Sequence, residues 1–157
     1  MHILIKIVNV KIKRKLRRKK IDSRLSNAIT LKKEGDSIYT LEFYKKENGK
    51  VPVLDFLMSL QPKLRAKAFR DIELLEKHGN ELKEPYVKSI KGKENKGLYE
   101  LRIKFSRDIV RIFYFTYYND KYILLHGFLK KTTKTSRGEL EQARKYMEDY
   151  KRRSSCE

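Results

Sequence analysis

Between Leu98 and Leu129 the sequence takes up a period of two, three times over, with almost nothing between the repeats. LYELRIKF (98–105) puts Tyr99, Leu101, Ile103 and Phe105 on one face and Glu100, Arg102 and Lys104 on the other. SRD (106–108) makes a turn. IVRIFYFTYY (109–118) is dense in β-branched and aromatic residues that suit a pleated surface, Asn119-Asp120 turns the chain back, and KYILLHGFL (121–129) follows. Connections this short make neighbouring antiparallel strands, because a parallel partner needs a crossover of about a dozen residues. An antiparallel meander is therefore the frame on which the rest must pack.

The preceding sequence predicts one strand and two helices. SIYTLEFYKK opens near Ile38, with Ile38, Leu41 and Phe43 alternating imperfectly, and ENGK (47–50) supplies a turn. Pro52 starts a short helix, PVLDFLMSL, at a position where its missing N–H costs nothing. Pro62 starts another, PKLRAKAFRDIELLEKHG, expected antiparallel to the first. Leu64, Ala68, Ile72 and Leu75 form its buried stripe and Gly79 closes it. Beyond the meander, SRGE (136–139) has the pattern of a capping box, and Leu140, Ala143, Met147 and Tyr150 recur at helical spacing. The order β-α-α-β-β-β-α describes an α+β domain, with helices packed on a small, mainly antiparallel twisted sheet. No internal repeat is present.

Charge narrows the partners. Thirty-nine Lys and Arg against 20 Asp and Glu give a formal net charge of +19 in 157 residues, with ten Tyr and seven Phe interleaved. A field of that sign and size favours polyanions, and aromatic rings favour nucleic acid among them; a basic surface that only confers solubility is the bland alternative. The single cysteine, Cys156, excludes a disulfide framework and a Cys-rich metal site, as expected of a reducing cytoplasm. His2, His78 and His126 show no metal-ligand spacing. No apolar stretch approaches the roughly 20 residues of a membrane helix.

Residues 1–35 are set apart by composition, with twelve Lys and Arg against two acids, Asp22 and Glu34. MHILIKIVNVKIK alternates like a strand and then breaks into KRKLRRKK. Lysines interrupt the apolar run a signal peptide would need, which argues against secretion. Three readings stand: a mostly disordered basic arm, an added strand, or translation from an upstream start.

The residues suited to chemistry are cations. Arg102 lies on the polar face of its strand, whereas Arg111 interrupts an apolar run whose neighbours Ile109, Val110, Ile112 and Phe113 promise burial. A buried guanidinium requires a partner. Lys130 and Lys131 end the last strand of the meander. On adjacent strands these cations can converge on one concave face, where Arg would meet phosphate through a planar fork and Lys as a point charge. Lys104, Arg107 and Lys134 flank the set as further RNA contacts. Plainer roles compete: Arg102 pairing with Glu100 or another surface acid, Arg111 with a core acid such as Asp108, the lysines solvating an edge. His126, with an unperturbed pKa of about 6.5, suits a general acid or base, or else a hydrogen-bonded core position. Tyr99 could stack on a base, or belong to the core with Leu101 and Ile103. Gly127 suits a bulge or a close backbone approach.

EFYKKENGKVPVLDFL, DIELLEKHG, EPYVKSIKG, LYELRIKFSRDIVRIFYF and ILLHGFLKKTTKTSRGELEQA, in that order, resemble the HigB-like toxins, the phage-derived-protein branch of the RelE/ParE superfamily. The likeness covers about residues 38–150, is most specific in its last stretch, and leaves residues 1–35 outside a toxin domain of residues 36–157. It implies a RelE-like fold with two N-terminal helices and a C-terminal helix. It also implies a cytoplasmic toxin of a type II toxin–antitoxin system that cuts mRNA on the ribosome and so inhibits translation. The expected partners are ribosome-bound mRNA and a cognate antitoxin with a helix-turn-helix domain; no cofactor or metal is expected. The resemblance places the site at Arg111, Lys130 and Lys131, with Arg102 assisting. Two positions depart from the pattern: Glu100 stands where relatives often carry a lysine, and Leu140 near where some carry a catalytic tyrosine.

That chemistry agrees with the residue list. RNA can be cleaved by its own 2′-hydroxyl attacking the adjacent phosphate, which asks for cations on the phosphorane and groups that accept and donate protons. Two other classes remain open: a toxin of the same fold that poisons DNA gyrase, and a non-enzymatic nucleic-acid-binding module.

Overall fold

The computed structural model describes residues 39–118, 121–130 and 136–155. Five strands, β1 (Thr40–Phe43), β2 (Val87–Ser89), β3 (Leu98–Phe105), β4 (Asp108–Tyr117) and β5 (Lys121–Leu129), form one sheet in the order β1-β5-β4-β3-β2. The expected meander is its centre, with β3, β4 and β5 joined antiparallel. Two features were not foreseen. β1 closes one edge by pairing parallel to β5, and the three-residue β2 closes the other by pairing antiparallel to β3. The fold is α+β and RelE-like, a five-strand, mostly antiparallel sheet with three helices.

Each helix starts where its local sequence says. α1 (Pro52–Ser59) and α2 (Pro62–His78) both carry proline in the first turn. α2 buries the expected Leu64, Ala68, Ile72 and Leu75, and also Asp71. Gly79 ends it at φ +49, and a Cβ there would lie 2.3 Å from the Tyr39 ring, so both backbone and packing exclude a side chain. α3 (Arg137–Ser154) is capped by Ser136, whose hydroxyl accepts from the Glu139 backbone N–H at 3.3 Å. The predicted capping box is only half made, because the Glu139 carboxylate turns to His126 instead.

Alternation along the central strands divides the interior in two. Leu101, Ile103, Val110, Ile112, Tyr114, Tyr122 and Leu124 face α1 and α2; Leu98, Phe113, Phe115, Ile123 and Leu125 face α3 through Ala143, Met147 and Tyr150. A bulge adjusts the second face: Phe113 pairs with His126 but Tyr114 with Leu124, leaving Leu125 as the extra residue. Leu125 and His126, neighbours in sequence, both serve the α3 side as a result. Gly127 then meets α1, where a Cβ would come within 2.5 Å of the Phe56 ring.

α3 packs chiefly on β5 and β4. Beside the part of the sheet that α3 covers, toward β3 and β2, the charged residues gather.

Candidate active site

Cross-strand register makes Arg102 of β3 and Arg111 of β4 direct partners. Like charges directly opposite one another destabilise a sheet. Glu100, two residues before Arg102 and on the same face, resolves the conflict. Its Oε1 accepts from Arg102 Nε at 3.1 Å and from Arg111 Nη1 through a short, buried ion pair. Glu100 is 4 % exposed and Arg111 7 %. Glu84 adds a longer contact to Arg102, at 3.8 Å. Arg111 thus finds its acid in Glu100; Asp108, the partner suggested by sequence, is exposed at the start of β4.

The Arg111 guanidinium is not fully satisfied, since its buried Nε has no hydrogen-bond partner. Burial lowers its pKa from the ordinary arginine value, Glu100 opposes that shift and Arg102 adds to it. Arginine nonetheless stays charged in proteins. The centre is therefore a concentrated positive charge behind a single carboxylate.

Lys130 follows β5 and is held by its backbone N–H, which donates to the Ile109 carbonyl at 2.8 Å. Its ammonium pKa is pulled below the usual lysine value, first by burial, then by the fields of Arg111, Arg102 and Lys88, with Glu100 opposing. A cleft of about 300 Å³ opens here, lined by Lys88 and Lys91 beside Glu100, Arg102, Lys130 and Leu140. Arg102, Arg111 and Lys130, expected from sequence to converge, do so.

The other sequence-predicted residues fall elsewhere. Lys131 and Lys134 lie outside the described residues, as does the 1–35 extension. Lys104 and Arg107 are exposed at the outer end of the β3–β4 hairpin. Tyr99 is on the opposite side of the sheet, its ring stacked on Tyr114 at 5.5 Å and packed into the core under α1 and α2. That burial removes it from the cationic face. His126 does not line the cleft. It bonds Glu139 of α3 and its ring lies beside Phe128 and Tyr146, so its visible role is to dock the start of α3.

Sequence reasoning missed Lys88 and Lys91, and it missed Glu100 as the hub. No local signal marks them: Lys88 is the cross-strand partner of Glu100, a pairing of opposite charges that only the register of β2 reveals. Among the described residues no three His, Cys, Asp or Glu side chains gather as a metal site would require. Nor is any described helix long and apolar enough to cross a membrane.

Such a cleft can bind an anion of phosphate size, stabilise additional negative charge on it, and present one carboxylate to a nearby hydroxyl. No curated protein matches the chain. Residues 55–148, more than half of the sequence and all of the cleft, match the family described as phage derived protein Gp49-like (DUF891). The chain belongs to that family, which is RelE-like and associated with toxin–antitoxin systems.

Proposed function

We propose that the protein is the toxin of a toxin–antitoxin pair and that it cleaves mRNA on the ribosome. The observation that carries this reading is the Arg102–Glu100–Arg111 arrangement, with Lys88 and Lys130 around it in an open cleft. A scissile phosphate seated on Arg102 and Arg111 would take over the bonds that both make to Glu100. Glu100, displaced by that anion, is the carboxylate placed to accept the 2′-hydroxyl proton. The 2′-oxygen then attacks phosphorus, the cations stabilise the phosphorane, and the bond to the 5′-oxygen breaks. Lys130, whose pKa is already lowered, donates the proton that the leaving 5′-oxygen needs. The products are a 2′,3′-cyclic phosphate and a 5′-hydroxyl. The neutralising partner is a cognate antitoxin with a helix-turn-helix domain, and Lys131 belongs with Lys130 in gripping the message.

The test is tightly repressed expression followed by mapping of 5′ ends on translated and untranslated messages, comparing the wild-type chain with Glu100→Gln. Growth arrest with cuts confined to translated mRNA is expected of the wild type. The Glu100→Gln protein should bind RNA more tightly, having lost the competing charge, and cut about a hundredfold or more slowly, the loss typical of a missing general base. Intact transcripts with relaxed or cleaved plasmid DNA would favour gyrase poisoning instead. RNA binding with no RNA product under any condition would leave a binding module.

A further inference from the structure

A second cleft, of about 360 Å³, lies between α2 and the outer part of β3 and β4. We propose that it holds the nucleotide next to the scissile phosphate, with Tyr86 stacking the base and Lys104 taking the adjoining phosphate. The inference rests on the RNA-cleaving reading of the first cleft and assigns the neighbouring subsite.

The two clefts share Arg102, and the buried pair is divided between them, Glu100 lining the first and Arg111 the second. The second cleft therefore adjoins the arginine pair on which the scissile phosphate would sit. Its volume falls in the range of pockets that bury small ligands.

Tyr86 is the feature that points to a base. It is 41 % exposed, and no other aromatic ring among the described residues packs on it, unlike Tyr99, Tyr114 and Tyr122 in the nearby core. Its backbone is nonetheless fixed at both ends. The Tyr86 N–H donates to the Lys83 carbonyl at 3.0 Å, and its own carbonyl accepts from the Arg102 N–H at 2.7 Å. An open ring on an immobilised backbone is a platform already in position. The cations beside it differ in kind. Lys67 is clamped by both oxygens of Asp71, at 2.5 and 2.6 Å, and Asp71 is only 1 % exposed. Lys104 is exposed and makes no ion pair among the described residues. An aromatic face flanked by cations is how single-stranded nucleic acid is held without strict sequence choice, one base per ring.

The experiment uses the full chain and an uncleavable RNA trinucleotide, 2′-deoxy at the cut position, with 2-aminopurine placed in separate probes on either side of the scissile phosphate. Stacking on tyrosine quenches 2-aminopurine fluorescence. One probe should be quenched by the wild-type protein and equally by Tyr86→Phe and Tyr86→Trp. Tyr86→Ala should abolish that quenching and weaken binding about tenfold, yet bind a trinucleotide abasic at that position as the wild type does. Lys104→Ala should weaken both probes alike. If Tyr86→Ala keeps the quenching and the affinity, the subsite is wrong, and an accompanying loss of affinity in Lys130→Ala, at a residue that lines only the first cleft, shows that the first cleft still stands. If neither Tyr86→Ala nor Lys130→Ala changes binding, both readings fall together.

Discussion

The two faces of the sheet are built from the same strands by the same alternation, yet they have opposite characters. The face under α1 and α2 is apolar across its centre: Leu57, Ala68, Leu75, Leu101, Ile103, Ile112 and Leu124 are all fully buried there. The face under α3 is apolar only over β5 and β4, where Phe113, Phe115, Ile123 and Leu125 meet Ala143 and Met147. Toward β3, and at the end of β4 beside it, the equivalent positions are Glu100, Arg102 and Arg111. The difference teaches that this fold places its chemistry by withholding a helix. Two helices bury the centre of one side and supply rigidity; one helix covers part of the other and leaves fixed strand side chains lining an open cleft. Such side chains are held by their strands, so the cations are already in position when an anion arrives.

The largest effect expected from this contrast is a loss of stability confined to the sealed face. Leu57→Ala removes a fully buried side chain between α1 and the sheet and should cost about 2–5 kcal/mol in chemical denaturation. Cleavage per folded molecule should be unchanged. A variant that folds normally but cuts poorly would show that the sealed face shapes the cleft directly, and the division drawn above would be too simple.

Arg111→Ala is next, and it bears on the open face. Loss of one preorganised charged donor should raise the barrier by about 3 kcal/mol, roughly a hundredfold in rate. Arg111→Lys should rescue only part of it, lacking the planar fork. Removal also strips Glu100 of its buried partner, so the melting midpoint should fall as well. Glu100→Gln added to Arg111→Ala should recover much of the midpoint and none of the rate. Recovery of both would make the pair architecture alone.

How far these features can be read without coordinates depends on their range. The meander, the stripe of α2 and the buried side of α3 are legible because periodicity is local and strong. β2 is not, since three residues carry no period, and its pairing with β3 is what brings Lys88 and Lys91 to the cleft. The parallel pairing of β1 with β5 joins segments far apart in sequence, and no local signal encodes it. Arg111 announces itself as a cation in an apolar run. Glu100 does not: alternation puts it on the polar side, but only the register of two neighbouring strands shows that it is buried there between two arginines. The half-made capping box has a similar cause. Glu139 matches the local pattern, and a tertiary partner, His126, takes its carboxylate.

A smaller effect separates how the helices are attached. α3 is docked partly by charge. Asp149 accepts from the Tyr44 hydroxyl at 2.7 Å and pairs with Arg152 and Arg153, each at 2.7 Å. The Tyr44 hydrogen bond, followed by the two arginines, holds the Asp149 pKa below the usual carboxylate value. A carboxyl group with a depressed folded pKa contributes stability above its unfolded pKa, about 3.9, and loses it as pH falls through the folded value. Acid should therefore loosen α3 before it loosens α1 and α2, seen as earlier loss of amide protection around Tyr146 and Tyr150 than around Leu57 and Leu75. Asp149→Asn should lower the unfolding free energy at neutral pH by about 1 kcal/mol and abolish the difference between the two faces in acid. Simultaneous loss of protection in both faces of the wild type would mean that charge contributes nothing particular to α3.

The smallest effect is a displacement along the pH axis, and it concerns Lys130. Burial and the surrounding cations lower its pKa, so its ammonium deprotonates at a lower pH than an ordinary lysine's. If the charged form grips phosphate and supplies the leaving-group proton, cleavage should decline on the alkaline side earlier than an ordinary lysine would allow. Stability should move the other way. The unfolded chain binds the proton more tightly than the folded one, so folding gains as pH rises from the folded pKa to the unfolded value. Lys130→Arg keeps its charge throughout this range. It should shift the alkaline limb of the rate profile upward while lowering the plateau, because a guanidinium releases a proton far less readily. Measuring cleavage and thermal midpoints for both proteins across neutral to alkaline pH checks the two signs at once. An alkaline limb unmoved by Lys130→Arg would assign the proton donor to another residue and leave Lys130 as a phosphate contact only.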